Sequence, residues 1–355
     1  MKLFPLSRLP FNRVAGHIVG SGLIALLMMA NAGLSNAAEV TLRFHQFLPL
    51  TSTIPAEAIE PWIEAVEKDS GGRIKVEHYP SMQLGGKPPS LYGQARDGVV
   101  DIIWTVLGYT PGLFPTAEAF ELPFMTGDAE TGSVAFQRFM MENGQNDFKD
   151  VHPLAFHIHG PGIIHIKDQA VREIADLEGK KLRGPTRVTT MMLTELGATA
   201  IGMPVPAVPE SLSKGVIDGA VIPYEVSVIL KMSELTDGHT GFSSSPGLYT
   251  ATFGFIMNKS RYESLPDDLK AVIDKHSGEK MARMAGQAMD RADLVGIKIA
   301  RDAGNDVVVL DDAAKAKWID AAQPVIAKWV AEMDEKGIDG AALVAKARAE
   351  IAKAK

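Results

Sequence analysis

From His152 to Lys167 the chain reads HPLAFHIHGPGIIHIK, two strand-like apolar runs broken by Gly160-Pro161-Gly162. Proline removes a donor and glycine relaxes the backbone, so pairing stops there. The pattern suits a chain that leaves one lobe and enters another. Length agrees. Ala38 to Lys355 is longer than the roughly 250–300 residues that one core organises.

Strand and helix signals alternate on both sides of the break. VTLRF (40–44) alternates in character, then Ile59, Trp62, Ile63 and Val66 recur at helical spacing until Gly71-Gly72. RIKVEHYP (73–80) predicts a strand and SLYGQARDG (90–98) a helix. VVDIIWTVLG (99–108) is a nearly continuous apolar run, the kind buried on both faces of a parallel sheet. Beyond the break, LEGKKLRG (177–184) predicts a turn and strand, TRVTTMMLTELG (186–197) a helix, VIDGAVIP (216–223) a strand, and YTATFGFIMNKS (249–260) a returning strand. The expectation is two α/β lobes, each a mixed sheet flanked by helices. Lobe I takes 38–160 and 250–285, lobe II takes 161–249 and 286–320, and 321–355 form C-terminal helices around Trp329 and beyond. No proline interrupts Asp267 to Ala303. A single helix there would run about 55 Å and brace both lobes, with Gly278, Gly286 and Gly296 as the points where it would bend or divide.

Residues 1–37 read as a secretory signal: a basic start (Lys2, Arg8, Arg13), an apolar run from Ile18 to Ala30, and Ser35 and Ala37 at cleavage spacing. The run is too short to span a bilayer core of about 30 Å. There is no cysteine for a disulfide or a lipid anchor, so a soluble periplasmic product is expected. The formal net charge is −7, and three units more negative without the signal, which argues against nucleic acid or anionic lipid as a partner.

Motifs for catalysis are missing. There is no G-x-S-x-G elbow, H-E-x-x-H, Walker loop or EF-hand loop. GPGIIH (160–165) lacks the third glycine and following helix of a dinucleotide fingerprint, so no cofactor is expected. His157 and His159 share one face of a predicted strand near His165, a spacing open to metal ligands, but no acid beside them completes a site; no metal is expected. What stands out is GKKLRGPTRVTT (179–190). Arg183 ends a strand just before Gly-Pro, at the usual ligand face of an open α/β sheet. A surface or salt-bridged arginine is the competing reading.

Taken in order, His45 in the first strand, SGGRIKV (70–76), QLGG (83–86), DGVVDI (97–102), ELPF (121–124), DLEGKKLR (176–183), LGATAIGMPVPAVPESLSKGVIDG (196–219) and SELTDGHT (233–240) resemble the substrate-binding proteins of tripartite ATP-independent periplasmic (TRAP) transporters, the DctP-like family. The resemblance implies a two-lobed, type II-like periplasmic binding protein that captures a small organic acid and delivers it to a separate membrane permease. It implies that Arg183 makes a two-pronged salt bridge to the ligand carboxylate, a geometry that lysine does not reproduce. Arg187, one turn on, is a secondary candidate, its competing reading being a tie that holds its helix to the rest of the lobe. Trp104 and Tyr224 are candidate stacking residues or core. Val205, Glu225, His45 and His159 complete the expected ligand-binding set. Sialic-acid-type members carry Asn where this chain has Ile222, and a second arginine where it has HGPGIIH. These departures imply a smaller or more hydrophobic acid: an aromatic or branched monocarboxylate, or a 2-oxo or 2-hydroxy acid. Closure is expected by rotation at 158–162 and 245–252, in a monomer. Rival readings are a binding protein for an ATP-driven importer, a periplasmic isomerase or lyase using His157 or His159 as base, and a chemoreceptor partner or scaffold.

Overall fold

The computed structural model describes residues 38–354; the secretory signal read in residues 1–37 lies outside them. In chain order the strands are β1 (Val40–His45), β2 (Ile74–Tyr79), β3 (Ile102–Val106), β4 (Val151–Ile158), β5 (Ile163–Ile166), β6 (Lys181–Gly184), β7 (Thr199–Gly202), β8 (Gly219–Ile222), β9 (Gly238–Phe242), β10 (Thr252–Asn258) and β11 (Asp306–Leu310). They form two mixed sheets. The first has the order β2-β1-β3-β10-β4 and the second β11-β9-β5-β8-β6-β7.

In the first sheet β1 lies parallel to β2 and β3, while β10 runs antiparallel between β3 and β4. The apolar run around Trp104 is β3, buried along its whole length. In the second sheet β5 is antiparallel to β8 and β9, and β6 is parallel to β7 and β8. The chain crosses between sheets at Gly160–Gly162, between β4 and β5, again between β9 and β10, and a third time, through the helices after β10, to reach β11.

The proline-free stretch is two helices, Asp267–His276 and Glu279–Asp302, rather than one. Gly278 divides them with φ +64°, and its N–H donates to the Leu154 carbonyl at 2.7 Å instead of continuing a helical ladder. The second helix alone spans about 36 Å. It still braces the molecule, because two acids one turn apart each hold the start of another helix. Asp290 accepts the N–H groups of Ala129 and Glu130 at 2.7 and 2.8 Å, and Asp293 accepts that of Glu225 at 2.6 Å. Gly286 and Gly296 permit the close approach. A Cβ at Gly286 would lie 2.5 Å from the Ala129 carbonyl oxygen, and one at Gly296 would overlap that of Tyr224.

The expected lobe boundaries at 285/286 and 320/321 fall inside helices, the latter inside Asp312–Glu335. No helix of the described residues is long and apolar enough to cross a membrane.

Candidate functional site

A tightly lined cavity lies between the two sheets. Its walls come from the carboxyl ends of β1, β3, β6 and β8, where an open α/β sheet exposes its loops. The first sheet supplies Phe47, Trp104, Val106, Tyr109 and Phe253, and the second Arg183, Val205, Ile222 and Glu225. His159 and Tyr249 enter from the first two crossings.

The slot is mostly aromatic. Trp104 is stacked against Phe47, centroids 4.8 Å apart and 12° from parallel, and against Phe253 at 5.5 Å and 9°. The Trp104 indole N–H donates to His157 Nε2 at 2.8 Å, which fixes the plane of the stack.

Arg183 is the exception to this apolar surface. Alternation along β6 sends Leu182 into the second sheet's core and Arg183 toward the opposite face. The guanidinium is 2% exposed. Nε donates to the Met203 carbonyl at 2.8 Å and Nη1 to that of Val221 at 3.1 Å. These bonds orient the fork and leave N–H groups over. Among the described residues no carboxylate pairs with it, although Arg187, four residues on, has two. A buried cation held by neutral carbonyls needs an anion to offset its desolvation.

The other titratable groups of the cavity do not supply that anion freely. Burial pushes Glu225 up to about 7, with a hydrogen bond from Thr53 opposing and the charge of Glu57 adding to the rise. Asp293, which accepts the Glu225 backbone N–H, is also raised well above the carboxylate range by burial. His159 is held to about 4, chiefly by burial. Its Nδ1–H donates to the Gly160 carbonyl at 2.6 Å and its Nε2 accepts the Ala251 N–H at 2.9 Å. This is a neutral ring with both nitrogens committed. Arg183 is then the dominant fixed charge of the cavity, and the site suits a monoanion.

The raised Glu225 has a measurable consequence. Its carboxyl titrates near 4.5 in an unfolded chain and near 7 in the folded one. Between those values the folded protein retains a proton that the unfolded chain has released, so stability is full below the lower value and declines as pH rises through the upper one. Glu225→Gln is expected to gain stability over the parent as pH rises from about 5 to about 8, by on the order of 2–3 kcal/mol at the upper end. Histidine titrations common to both proteins cancel in that difference. Melting curves across the range check it; a difference independent of pH would show that the carboxyl ionises unhindered.

Of the residues singled out from sequence, Arg183, Trp104, Val205, Glu225 and His159 meet at the cavity. Three do not line it. Arg187 is engaged by Glu118 and Glu332, tying its helix to neighbouring elements. Tyr224 packs with Ile163 and Ala300 and against the edge of His165, at 5.5 Å. His45 is fully buried, with Nδ1 on the Gln94 side-chain oxygen at 2.8 Å and Nε2 accepting the Leu84 N–H at 3.3 Å. The metal and general-base readings of His157 and His159 meet the same obstacle, because the ring nitrogens that would act already have protein partners. Burial also holds His157 down to about 3. Phe47, Tyr109, Tyr249 and Phe253 escaped the sequence reading. The first two directly follow strand ends, which was the available signal; the last two lie on the returning stretch 249–260, whose cavity-facing side chains are set by its pairing with β3 and β4.

Residues 44–333 match the model of bacterial extracellular solute-binding protein, family 7. The chain belongs to that family. Among solved structures, this family-7 protein is similar to a marine-metagenome TRAP solute-binding protein specific for aromatic acid ligands, in complex with 3-hydroxybenzoate. The two are 49% identical, covering 90% of this chain and 100% of that one, with a TM-score of 0.88. It is also similar to a TRAP solute-binding protein from Rhodoferax ferrireducens with copurified benzoate (45% identity, 88% and 98% covered, TM-score 0.86). A third, from Bordetella bronchiseptica with bound (R)- and (S)-mandelate, is 30% identical over 89% of this chain and 99% of that one, TM-score 0.80. Together with these TRAP relatives, family-7 membership decides against the enzyme readings and against an ATP-driven importer: the chain is a TRAP-type solute-binding protein.

Proposed function

We propose that this binding protein captures a small aromatic monocarboxylate between its two sheets and presents it to a TRAP membrane permease from the periplasm, where residues 1–37 direct it and where it acts as a monomer. The observation that carries this reading is Arg183: a buried cation without a carboxylate partner among the described residues, at one end of an aromatic slot. The guanidinium fork takes the carboxylate bidentately. The stacked Phe47, Trp104 and Phe253 side, with Val205 and Ile222 opposite, suits a flat apolar body. Relatives at 45–49% identity that hold benzoate or 3-hydroxybenzoate support the aromatic class.

Because the walls come from both sheets, ligand contacts favour the closed arrangement of the lobes over any open one. Rotation at 158–162 and 245–252 is the motion we assign to closure. A thermal-shift screen over organic acids tests the reading. Benzoate, 3-hydroxybenzoate or mandelate at 100 times its dissociation constant is expected to stabilise the fold by about 2.7 kcal/mol. Stabilisation by aliphatic dicarboxylates or sugar acids, with none from aromatic acids, would overturn it.

A further inference from the structure

The phenol of Tyr249 has no evident use in the fold. The residue is 2% exposed, and its hydroxyl finds no hydrogen-bond partner among the described residues. It lines the same cavity as Arg183. A buried hydroxyl without a partner destabilises a fold unless something completes it.

Its surroundings hold the ring in place. Gly162, on the opposite crossing, leaves the space that the ring fills: a Cβ there would overlap Tyr249 Cε1 and Cδ1. The Gly162 N–H donates to the Tyr249 carbonyl at 2.9 Å, which pins the two crossings together. On another side the ring meets His159, centroids 5.2 Å apart and 82° between planes, and His159 is itself fixed through both nitrogens. Tyr109 shows a related arrangement. Its hydroxyl oxygen accepts the Val205 N–H at 2.9 Å, which leaves its own proton to donate. Burial keeps the Tyr249 phenol protonated well past neutrality, with the charge of Arg183 opposing.

We propose that Tyr249 is a second ligand-binding residue, whose hydroxyl donates to the carboxylate that Arg183 clamps. This rests on the aromatic-carboxylate reading above. Tyr249 belongs to the segment joining β9 to β10, so the bond attaches the ligand to the crossing between the sheets as well as to the second sheet. A charge-assisted bond of this kind has the strength to matter, because the acceptor is an anion in a water-poor site.

The test is isothermal titration calorimetry of the parent, Tyr249→Phe and Arg183→Ala with benzoate and 3-hydroxybenzoate, together with the melting temperature of each ligand-free protein. Tyr249→Phe is expected to weaken both acids by roughly tenfold or more. Its ligand-free melting temperature should equal or exceed the parent's, since only an unsatisfied polar atom is removed. That pairing is one a merely structural tyrosine would not produce. Affinity within about twofold of the parent, with Arg183→Ala still defective, would overturn the Tyr249 assignment and leave the clamp intact. A lower ligand-free melting temperature would also overturn it, by showing that the hydroxyl already has a partner in the free protein. If the parent bound neither acid, or Arg183→Ala bound as tightly as the parent, the clamp and the Tyr249 proposal would fall together.

Discussion

Arg183→Ala is expected to weaken binding of an aromatic carboxylate by about 2–5 kcal/mol, or roughly 30-fold to several thousand-fold in dissociation constant. The size follows from where the charge sits. Arg183 is buried, and its Nε and Nη1 are already turned toward the Met203 and Val221 carbonyls. The free part of the fork is therefore oriented before any ligand arrives, and little side-chain freedom is lost on binding. Removing it leaves a ligand carboxylate in an apolar chamber with no countercharge. Arg183→Lys keeps the charge but not the fork, so it should recover only part of the loss. Calorimetric titration of the three proteins decides the matter. Parent-like affinity in the alanine variant would mean that the anion is held elsewhere.

Trp104→Ala should destabilise the fold by about 3–5 kcal/mol, independently of any ligand. Trp104 is 1% exposed, stacked against Phe47 and Phe253, and it satisfies a buried histidine nitrogen. Truncation opens a void in the middle of the first sheet and strips His157 Nε2 of its donor, so the cavity and polar penalties add. Trp104→Phe keeps much of the stack but not the N–H, and should fall between. Urea unfolding with an unchanged slope is the measurement; a shift below about 1 kcal/mol would show that the surrounding side chains collapse into the space.

How much of this was legible follows from which interactions are local. The strand-helix alternation, the break at Gly160–Gly162 and the position of Arg183 at a strand end are set by neighbouring residues, and the structure places them accordingly. Gly278 was one of three glycines at which the long helix could divide; that the break falls there and not at Gly286 or Gly296 depends on a backbone bond to Leu154, distant in sequence. Arg187 and Tyr224 sit close in sequence to cavity residues, yet helical rotation turns each away: Arg187 toward Glu118 and Glu332, Tyr224 toward His165. Tyr249 and Phe253 reach the cavity only because the chain returns to the first sheet after building most of the second. The return itself was legible in YTATFGFIMNKS; which of its side chains face the cavity was not, because that is set by pairing with β3 and β4.

That return also governs the order in which the molecule can assemble. β10 pairs with both β3 and β4, yet it is made after β5 through β9. Until Asn258 is available, β4 has no strand beside it in its own sheet. A nascent or translocating chain cannot finish its amino-terminal half early and rest there. The first sheet must wait for this late segment, so a fragment ending before Thr252 would present an open edge for another strand to occupy.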